Sequence, residues 1–310
     1  MSSLKLALLG SPVSKSMSPF IYGVLSGICG IDIHYDLIEC STGGFATAAS
    51  ELRKNGYDGI NITLPHKEQA AALFSDLTNT ARECEAANCV RFASHGGNKD
   101  GIIPATAENT DSQGFLWALR GKICGNGMRC AAANYPWLPS PVSSEAKDIL
   151  KAKTAAILGS GGAARASAWA LGNIGIGNIV FYARNLQKAE KIAAKMGETF
   201  PETHFSVRKI PENGIDSGDI FINATPLGMY GGNVPVNMSE KTVLIADWPY
   251  SANGTDLILS SEKQGISTIS GMELLLRQAV LNLRFWAGIN ISGMYERAAK
   301  YLKIRETRKK

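Results

Sequence analysis

Residues Gly159-Ser160-Gly161-Gly162-Ala163-Ala164 follow directly on the apolar run Ala155-Ala156-Ile157-Leu158. Strand, glycine turn and helix start, in that order, constrain this chain more than any other segment. They form the crossover that a dinucleotide pyrophosphate needs. Gly159 permits the tight turn, Gly161 lets phosphate oxygens approach a backbone without a Cβ, and Ala164 takes the small position where helix and strand pack closely. The first-turn N–H groups of such a helix lack intrahelical partners and lie at the positive end of its dipole, which suits an anion. The next apolar run, 179–182, reads as a second strand, and Leu186, Ala189, Ile192, Ala193 and Met196 recur behind it at helical spacing. An α/β nucleotide-binding domain is expected from Lys153 onward.

At 310 residues and 45% hydrophobic content, the chain is long and apolar enough for two cores. No apolar run approaches the roughly 18 residues of a membrane span. Residues 4–10 are too short for the core of a signal peptide and read as a first strand, so a cytoplasmic protein with no membrane partner is expected. The net charge is +5, of which residues 303–310, with five bases and one acid, supply +4. Such a tail is a solvated end and not a nucleic-acid footprint, so no nucleic-acid partner is expected. The six cysteines form no C-x-x-C pair, which points to reduced thiols. The four histidines are too scattered to suggest a metal centre.

The first third alternates strand and helix signals. Residues 4–9 and 33–38 read as strands, 19–28 and 45–52 as helices, and 59–63 as a short buried strand closed by Pro65. This predicts an α/β unit with a mostly parallel sheet. Residues 115–119 continue a helix begun near Asp111. Residues 121–152 then hold three prolines and no sustained periodicity, which marks an inserted excursion or linker. Tyr135, Trp137 and Leu138 are costly to leave in water, so this part is expected to pack on a domain. Near the end Met272, Leu275, Leu276, Ala279, Val280 and Leu283 form one apolar helical stripe.

Several polar clusters stand outside the glycine turn. They are Ser16-Met17-Ser18-Pro19, Asn61-Ile62-Thr63-Leu64-Pro65-His66-Lys67, Asn109-Thr110-Asp111, Asn223-Ala224-Thr225-Pro226-Leu227-Gly228-Met229 and Gln278-Ala279. Their order and spacing resemble the shikimate dehydrogenase family and its quinate/shikimate relatives, from about Leu8 to Ala279. The resemblance implies two α/β domains: a substrate domain of residues 1–111 and 271–310, and a Rossmann-like dinucleotide domain of residues 153–270. A hinge helix and the insertion occupy 112–152, and the C-terminal helix returns to the first domain. It also implies interconversion of shikimate and 3-dehydroshikimate at the C3 carbinol with a nicotinamide cofactor, a step of aromatic amino acid biosynthesis. Monomer and homodimer are both open.

Residue by residue, Lys67 and Asp111 match the pair that flanks the reacting hydroxyl. Hydride loss from a carbinol requires removal of its proton, and the reverse requires one, so an acid–base pair fits. The two act together, and the proton belongs to the pair. Ser16 and Ser18 match serines that hold a substrate carboxylate, although Ser18 before Pro19 is also a good helix N-cap. Asn61, Thr63, Asn88 and Asn109 match contacts to ring hydroxyls, and Tyr250 and Gln278 match residues that reach the substrate. Thr225, Gly228 and Met229 lie in a loop that resembles the one beside the nicotinamide, with Met229 and Tyr250 otherwise read as core packing.

Cofactor choice follows from the end of the second nucleotide-domain strand. An NAD site usually places an acid there for the ribose 2′-hydroxyl. Residues 182–188 read Tyr-Ala-Arg-Asn-Leu-Gln-Lys, without an acid. Arg184 can stack on adenine and meet a 2′-phosphate, and Asn185 can donate to it or cap the next helix. NADP is the expected cofactor.

The chain also departs from the family. Lys15 and Tyr22-Gly23 stand where it has His and His-Asn or Gln-Asn, and Glu85-Ala86-Ala87-Asn88-Cys89 replaces Gly-Ala-Val-Asn-Thr. These changes leave the substrate open between shikimate, quinate and an amino analogue of shikimate, and the cofactor between NADP and NAD. A non-catalytic NADP sensor is the alternative from another class, and the intact Lys67 and Asp111 argue against it. Gly125-Asn126-Gly127-Met128-Arg129-Cys130 resembles a racemase cysteine loop. That chemistry needs a second cysteine in a matching later lobe, and Cys130 is the last in the chain.

Overall fold

The computed structural model describes residues 3–93, 102–124, 144–229, 232–251 and 253–303. The chain divides into two compact units, one running to Asp111 and resuming over Leu275–Lys303, the other spanning Ser112–Leu274.

The first unit opens with β1 (Ser3–Gly10), α1 (Ser18–Cys29), β2 (Asp32–Glu39), α2 (Phe45–Lys54) and β3 (Gly59–Ile62). There follow α3 (Lys67–Leu73), β4 (Phe74–Leu77), α4 (Asn79–Cys84), β5 (Cys89–Phe92) and β6 (Ile103–Glu108). The strands form one sheet in the order β2-β1-β3-β5-β6-β4. The β1–β2, β1–β3 and β4–β6 pairings are parallel, whereas β3–β5 and β5–β6 are antiparallel. The sheet is therefore mixed. The two turned pairings bring Asn88, just before β5, beside the end of β6. β3 is buried at every residue, as a central strand covered on both faces must be.

The second unit holds most of α5 (Thr110–Cys124), then α6 (Ser144–Lys151), β7 (Thr154–Leu158), α7 (Gly162–Ile174), β8 (Asn178–Ala183) and α8 (Leu186–Thr199). It continues through β9 (His204–Lys209), β10 (Ile215–Asp216), β11 (Ile220–Asn223), β12 (Val236–Asn237), β13 (Leu244–Asp247), α9 (Asp256–Lys263) and β14 (Ser267–Ile269). Its main sheet is entirely parallel, in the order β14-β13-β11-β7-β8-β9. The strand order reverses between β7 and β11. In an open parallel sheet such a switch point leaves a crevice beyond the carboxyl ends of the strands, where ligands bind. The helix α10 (Gly271–Ala287) then carries the chain back to the first unit, followed by α11 (Met294–Tyr301). The α/β architecture with a Rossmann-like second sheet and a returning C-terminal helix is the one expected.

Several local readings need correction. Met17, not Ser18, is the N-cap of α1, and Ser18 occupies its first turn ahead of Pro19. Ser16 takes over the capping task, since its Oγ accepts the Ser18 N–H at 3.2 Å. The excursion is shorter than its composition suggests. Gly121 and Lys122 extend α5, and Ser144–Lys151 form α6, a helix of eight residues that is too brief for apolar periodicity to show. Residues 125–143, with the racemase-like loop and Trp137, lie outside the described residues, as does the basic tail beyond Lys303. The α10 stripe is also incomplete. Met272 and Leu275 are only half-buried, while Glu273, Arg277, Gln278 and Asn282 are buried. Glu273 lies 4.0 Å from Lys122, and the Arg277 guanidinium stacks 3.9 Å from the Tyr295 ring centre.

Trp286 of α10 donates from Nε1 to the Val90 carbonyl of β5 at 2.8 Å. Gly59 makes this approach possible, because a Cβ there would stand 2.4 Å from both Trp286 Nε1 and Val90 O. Gly59→Ala should therefore destabilise the protein by about 1–3 kcal/mol through overpacking. Urea unfolding measures it, and an unchanged midpoint would show that the helix yields at no cost.

Candidate active site

The β3–α3 turn and the start of α5 bring the paired charges together. Lys67 is the first residue of α3, and its Nζ donates to Asp111 Oδ2 at 2.5 Å. Asp111 sits in the first turn of α5, where a carboxylate is favoured by the helix dipole. Both side chains are largely buried, at 17% and 7% exposure, so the ion pair is little screened. His66, between Pro65 and Lys67, is fully buried, bonded through Nδ1 to Gln69 Oε1 at 2.9 Å and stacked on Phe45. It is a core histidine that fixes the turn.

Asn88 holds Asp111 in place. Its Oδ1 accepts the N–H of Thr110 at 2.7 Å and of Asp111 at 3.4 Å, so a distant side chain caps α5. Its Nδ2 donates to Thr110 Oγ1 and to Gln278 Oε1. Asn61 is buried as well. It donates from Nδ2 to the Asn88 carbonyl at 3.0 Å and accepts at Oδ1 from the hydroxyls of Tyr22 and Tyr35, each at 2.9 Å. Asn109 is 1% exposed and turns its Nδ2 to the Ala86 carbonyl. Thr63, two residues beyond Asn61, is half-buried. Ser16 and Ser18 face each other with their hydroxyls 3.1 Å apart, and Ser18 lies one turn from Tyr22 on α1.

Tyr22, Tyr35, Thr110 and Asn282, to which sequence reasoning assigned no role, complete this cluster. Asn282 donates to the Tyr22 hydroxyl and to Gln278 Oε1, each at 2.8 Å, and accepts from Thr110 Oγ1 at 2.6 Å. For Asn282 the available signal was a polar residue one turn after Gln278, on the same face of the helix. Burial and the neighbouring Tyr35 hold the Tyr22 phenol well above its ordinary range, so it stays an O–H donor.

In the second unit the glycine turn has the expected form. Gly159 has φ +123°, and a Cβ there would stand 2.9 Å from the Ala224 carbonyl, so only glycine fits. At Gly161 a Cβ would meet open space, where a ligand can reach the backbone ahead of the α7 N–H groups. Ser160 and Ala163 are half-exposed, and Gly162 and Ala164 are buried. Arg184 is exposed just beyond β8, and Asn185 caps α8, with Oδ1 accepting from Lys188 N at 2.9 Å. The loop after β11 is built on Asn223. Its Oδ1 accepts from Thr225 Oγ1 at 2.7 Å, and its Nδ2 donates to the Leu227 carbonyl at 2.9 Å and to Asp247 Oδ1 at 2.7 Å. Gly228 has φ +87°, and Met229 and Tyr250 are half-buried, not core residues. Thr255 donates to the other Asp247 oxygen. Among the described residues, no group of three or more His, Cys, Asp or Glu side chains is placed to hold a metal ion, and no helix is long and apolar enough to cross a membrane.

Residues 8–90 match the sequence profile of the shikimate dehydrogenase substrate-binding domain. The shikimate dehydrogenase (NADP(+)) of Caulobacter vibrioides is 32% identical over 282 residues, covering 87% of this chain and 85% of that protein. The chain belongs to the shikimate dehydrogenase family of oxidoreductases. A solved shikimate dehydrogenase in complex with NADP+ matches with a TM-score of 0.71 and 26% identity, over 97% of this chain and 96% of that one. A ligand-free 5-ketofructose reductase from Gluconobacter shares the fold, with a TM-score of 0.71 and 24% identity over 96% of this chain and 99% of that one.

Burial pushes the Asp247 carboxyl up to about 6 from an ordinary 3.8, against the bonds from Thr255 and Asn223 that favour its charge. A folded value above the unfolded one means that the folded protein binds the proton more tightly. The group's contribution to stability is therefore fullest below pH 4 and is lost as pH rises to about 6, by on the order of 3 kcal/mol. Asp247→Asn should flatten that part of the curve. Unfolding at a series of pH values for both proteins measures it, and parallel curves would mean that Asp247 titrates normally.

Proposed function

We propose that this chain interconverts shikimate and 3-dehydroshikimate with NADP as the cofactor. The observation that carries the reading is the largely buried Lys67–Asp111 pair, at 2.5 Å, set into a cluster of amides. Oxidation of a carbinol releases a proton from its oxygen, and reduction returns one. Lys67 and Asp111 hold that proton between them at the C3 oxygen. Ser16 and Ser18 offer two adjacent hydroxyls to a carboxylate. Asn61, Thr63, Asn109 and Gln278 take the ring hydroxyls. Asn88, whose amide is engaged by Thr110, Asp111 and Gln278, acts by orienting the helix that carries Asp111.

The second unit suits NADP. The open space at Gly161 and the first turn of α7 fit a pyrophosphate, and the exposed Arg184 fits a 2′-phosphate. The Asn185 oxygen is taken by its capping bond, which leaves the amide nitrogen as the donor toward that phosphate. Thr225, Gly228 and Met229 would flank the nicotinamide. When bound, NADP supplies or takes up the hydride.

Lys67→Ala should lower kcat by on the order of 10²–10⁴ while NADP binding changes little. Asp111→Asn should also lower kcat, and the double variant should lose less than the product of the two, because the residues act as a unit. Steady-state kinetics with shikimate and NADP test this. Wild-type turnover separates an enzyme from an NADP sensor, near-normal kcat in Lys67→Ala would remove that residue from the chemistry, and multiplicative losses would dissolve the pair.

Arg184→Ala should weaken NADP by about 10- to 150-fold and NAD far less, the range for a charge-assisted hydrogen bond. Equal losses for the two cofactors would mean that Arg184 packs on adenine without reading the phosphate.

A further inference from the structure

The amide cluster around Asn61 and Gln278 has a fixed direction. Amide oxygen and nitrogen look alike in shape, so their orientation must come from their partners. Three backbone groups decide it here. The Leu275 carbonyl can only accept, and it lies 2.9 Å from Gln278 Nε2, so that end of Gln278 is the NH2 group. Gln278 Oε1 therefore accepts, and both Asn282 and Asn88 must point NH2 groups at it. The Thr110 N–H can only donate, which confirms the Asn88 oxygen at the other end of that side chain. The Asn88 carbonyl can only accept, so the Asn61 atom 3.0 Å from it is nitrogen.

The hydroxyls then follow. Asn282 donates to the Tyr22 oxygen, so the Tyr22 proton goes to Asn61 Oδ1. Tyr35 supplies a second donor to that same oxygen. Asn61 Oδ1 and Gln278 Oε1 each have both lone pairs engaged. One N–H on Asn61 and one on Gln278 are the hydrogens left over.

We propose that Tyr22 and Asn282 are positioning residues that lock Asn61 and Gln278 as pure donors, so that the site takes ring hydroxyls, which accept, and rejects an ammonium, which cannot. The inference rests on the reading of this cluster as the substrate site. An ammonium has three donors and no acceptor. Opposite either amide it would leave two donors facing each other. The nearby Asp111 carboxylate is engaged at Oδ2 by the Lys67 cation, whose charge repels a second one.

The experiment compares kcat/KM for shikimate with that for its analogues carrying an amine in place of the C4 or the C5 hydroxyl. Wild type should prefer shikimate by about 100-fold or more, since a site built to pair with hydroxyls rejects groups that leave it unmatched. Asn61→Asp and Gln278→Glu, which turn a donor into an acceptor, should shrink that ratio by about tenfold or more for at least one analogue. Tyr22→Phe frees a lone pair on Asn61 and should shrink it too. A tyrosine with a merely structural role would lower Tm and leave the ratio where it was. Equal use of shikimate and the amines by wild type, or an unchanged ratio in every folded variant, would overturn the proposal. Calorimetric Kd values for the same ligands keep the tests apart. Discrimination in binding without shikimate turnover would count against the enzymatic reading alone.

Discussion

The side-chain oxygen of Asn88 accepts the first N–H groups of α5, at 2.7 Å from Thr110 and 3.4 Å from Asp111. The arrangement of the first unit depends on this contact. A helix start leaves N–H groups without partners, and one buried there needs an outside acceptor. The Asn88 backbone joins the same point to the sheet, since its carbonyl takes the Ile62 N–H at 2.9 Å and its N–H reaches the Glu108 carbonyl at 3.1 Å. One residue thus joins β3, β6 and the Thr110–Asp111 start of α5. Lys67 is tied in by its own carbonyl, which accepts from Ala87 N at 2.9 Å. The Lys67–Asp111 distance is therefore a property of the backbone frame, and two flexible side chains do not have to find each other across solvent.

The second unit solves a similar problem at the carboxyl ends of β7 and β11. Two turns meet there, and Gly159 is the residue that lets them, because any Cβ would strike the Ala224 carbonyl. The second turn is held from within by Asn223, whose amide bonds forward to Thr225 and Leu227 and sideways to Asp247. A buried carboxylate is a costly support, which the upward displacement of the Asp247 carboxyl records. Its two oxygens receive Asn223 and Thr255, so the cost of burial is offset by a loop of defined shape.

The sequence made the nucleotide crossover legible because its physics is local. A glycine with positive φ, an apolar strand before it and a helical period after it all lie within a few dozen residues. The same holds for β1, α1, β2 and β3. The antiparallel turn of β5 and β6 was not legible, because nothing within Cys89–Phe92 states which neighbour it will pair with. Lys67 and Asp111 were found through motifs, yet 44 positions separate them, and only the mixed sheet explains their contact. Ser18 was misread as a cap because Ser-Pro satisfies the local rule, while Ser16 makes the better bond from two residues back. Tyr22 and Asn282 were harder still to pair. They are 260 positions apart, and a polar residue on either helix does not state which partner it will meet.

Hydrogen bonds of this length give direction but little net stability, since water would satisfy the same groups in the unfolded chain. Something else must hold α10 against the first sheet. Tyr35, Tyr22 and Trp286 supply it as a column of rings, with centres 4.4 Å apart for the first pair and 5.8 Å for the second. The column joins β2, α1 and α10, and Trp286 ends it with a bond to β5. Aromatic burial provides the free energy, and the polar atoms on the same rings and helices provide the orientation. The return of the C-terminal helix to the first unit is thus inseparable from the chemistry of the site. Without Trp286 seated over Gly59, Gln278 and Asn282 would have no fixed place from which to direct the amides, and Asn61 would be free to turn either end toward a ligand.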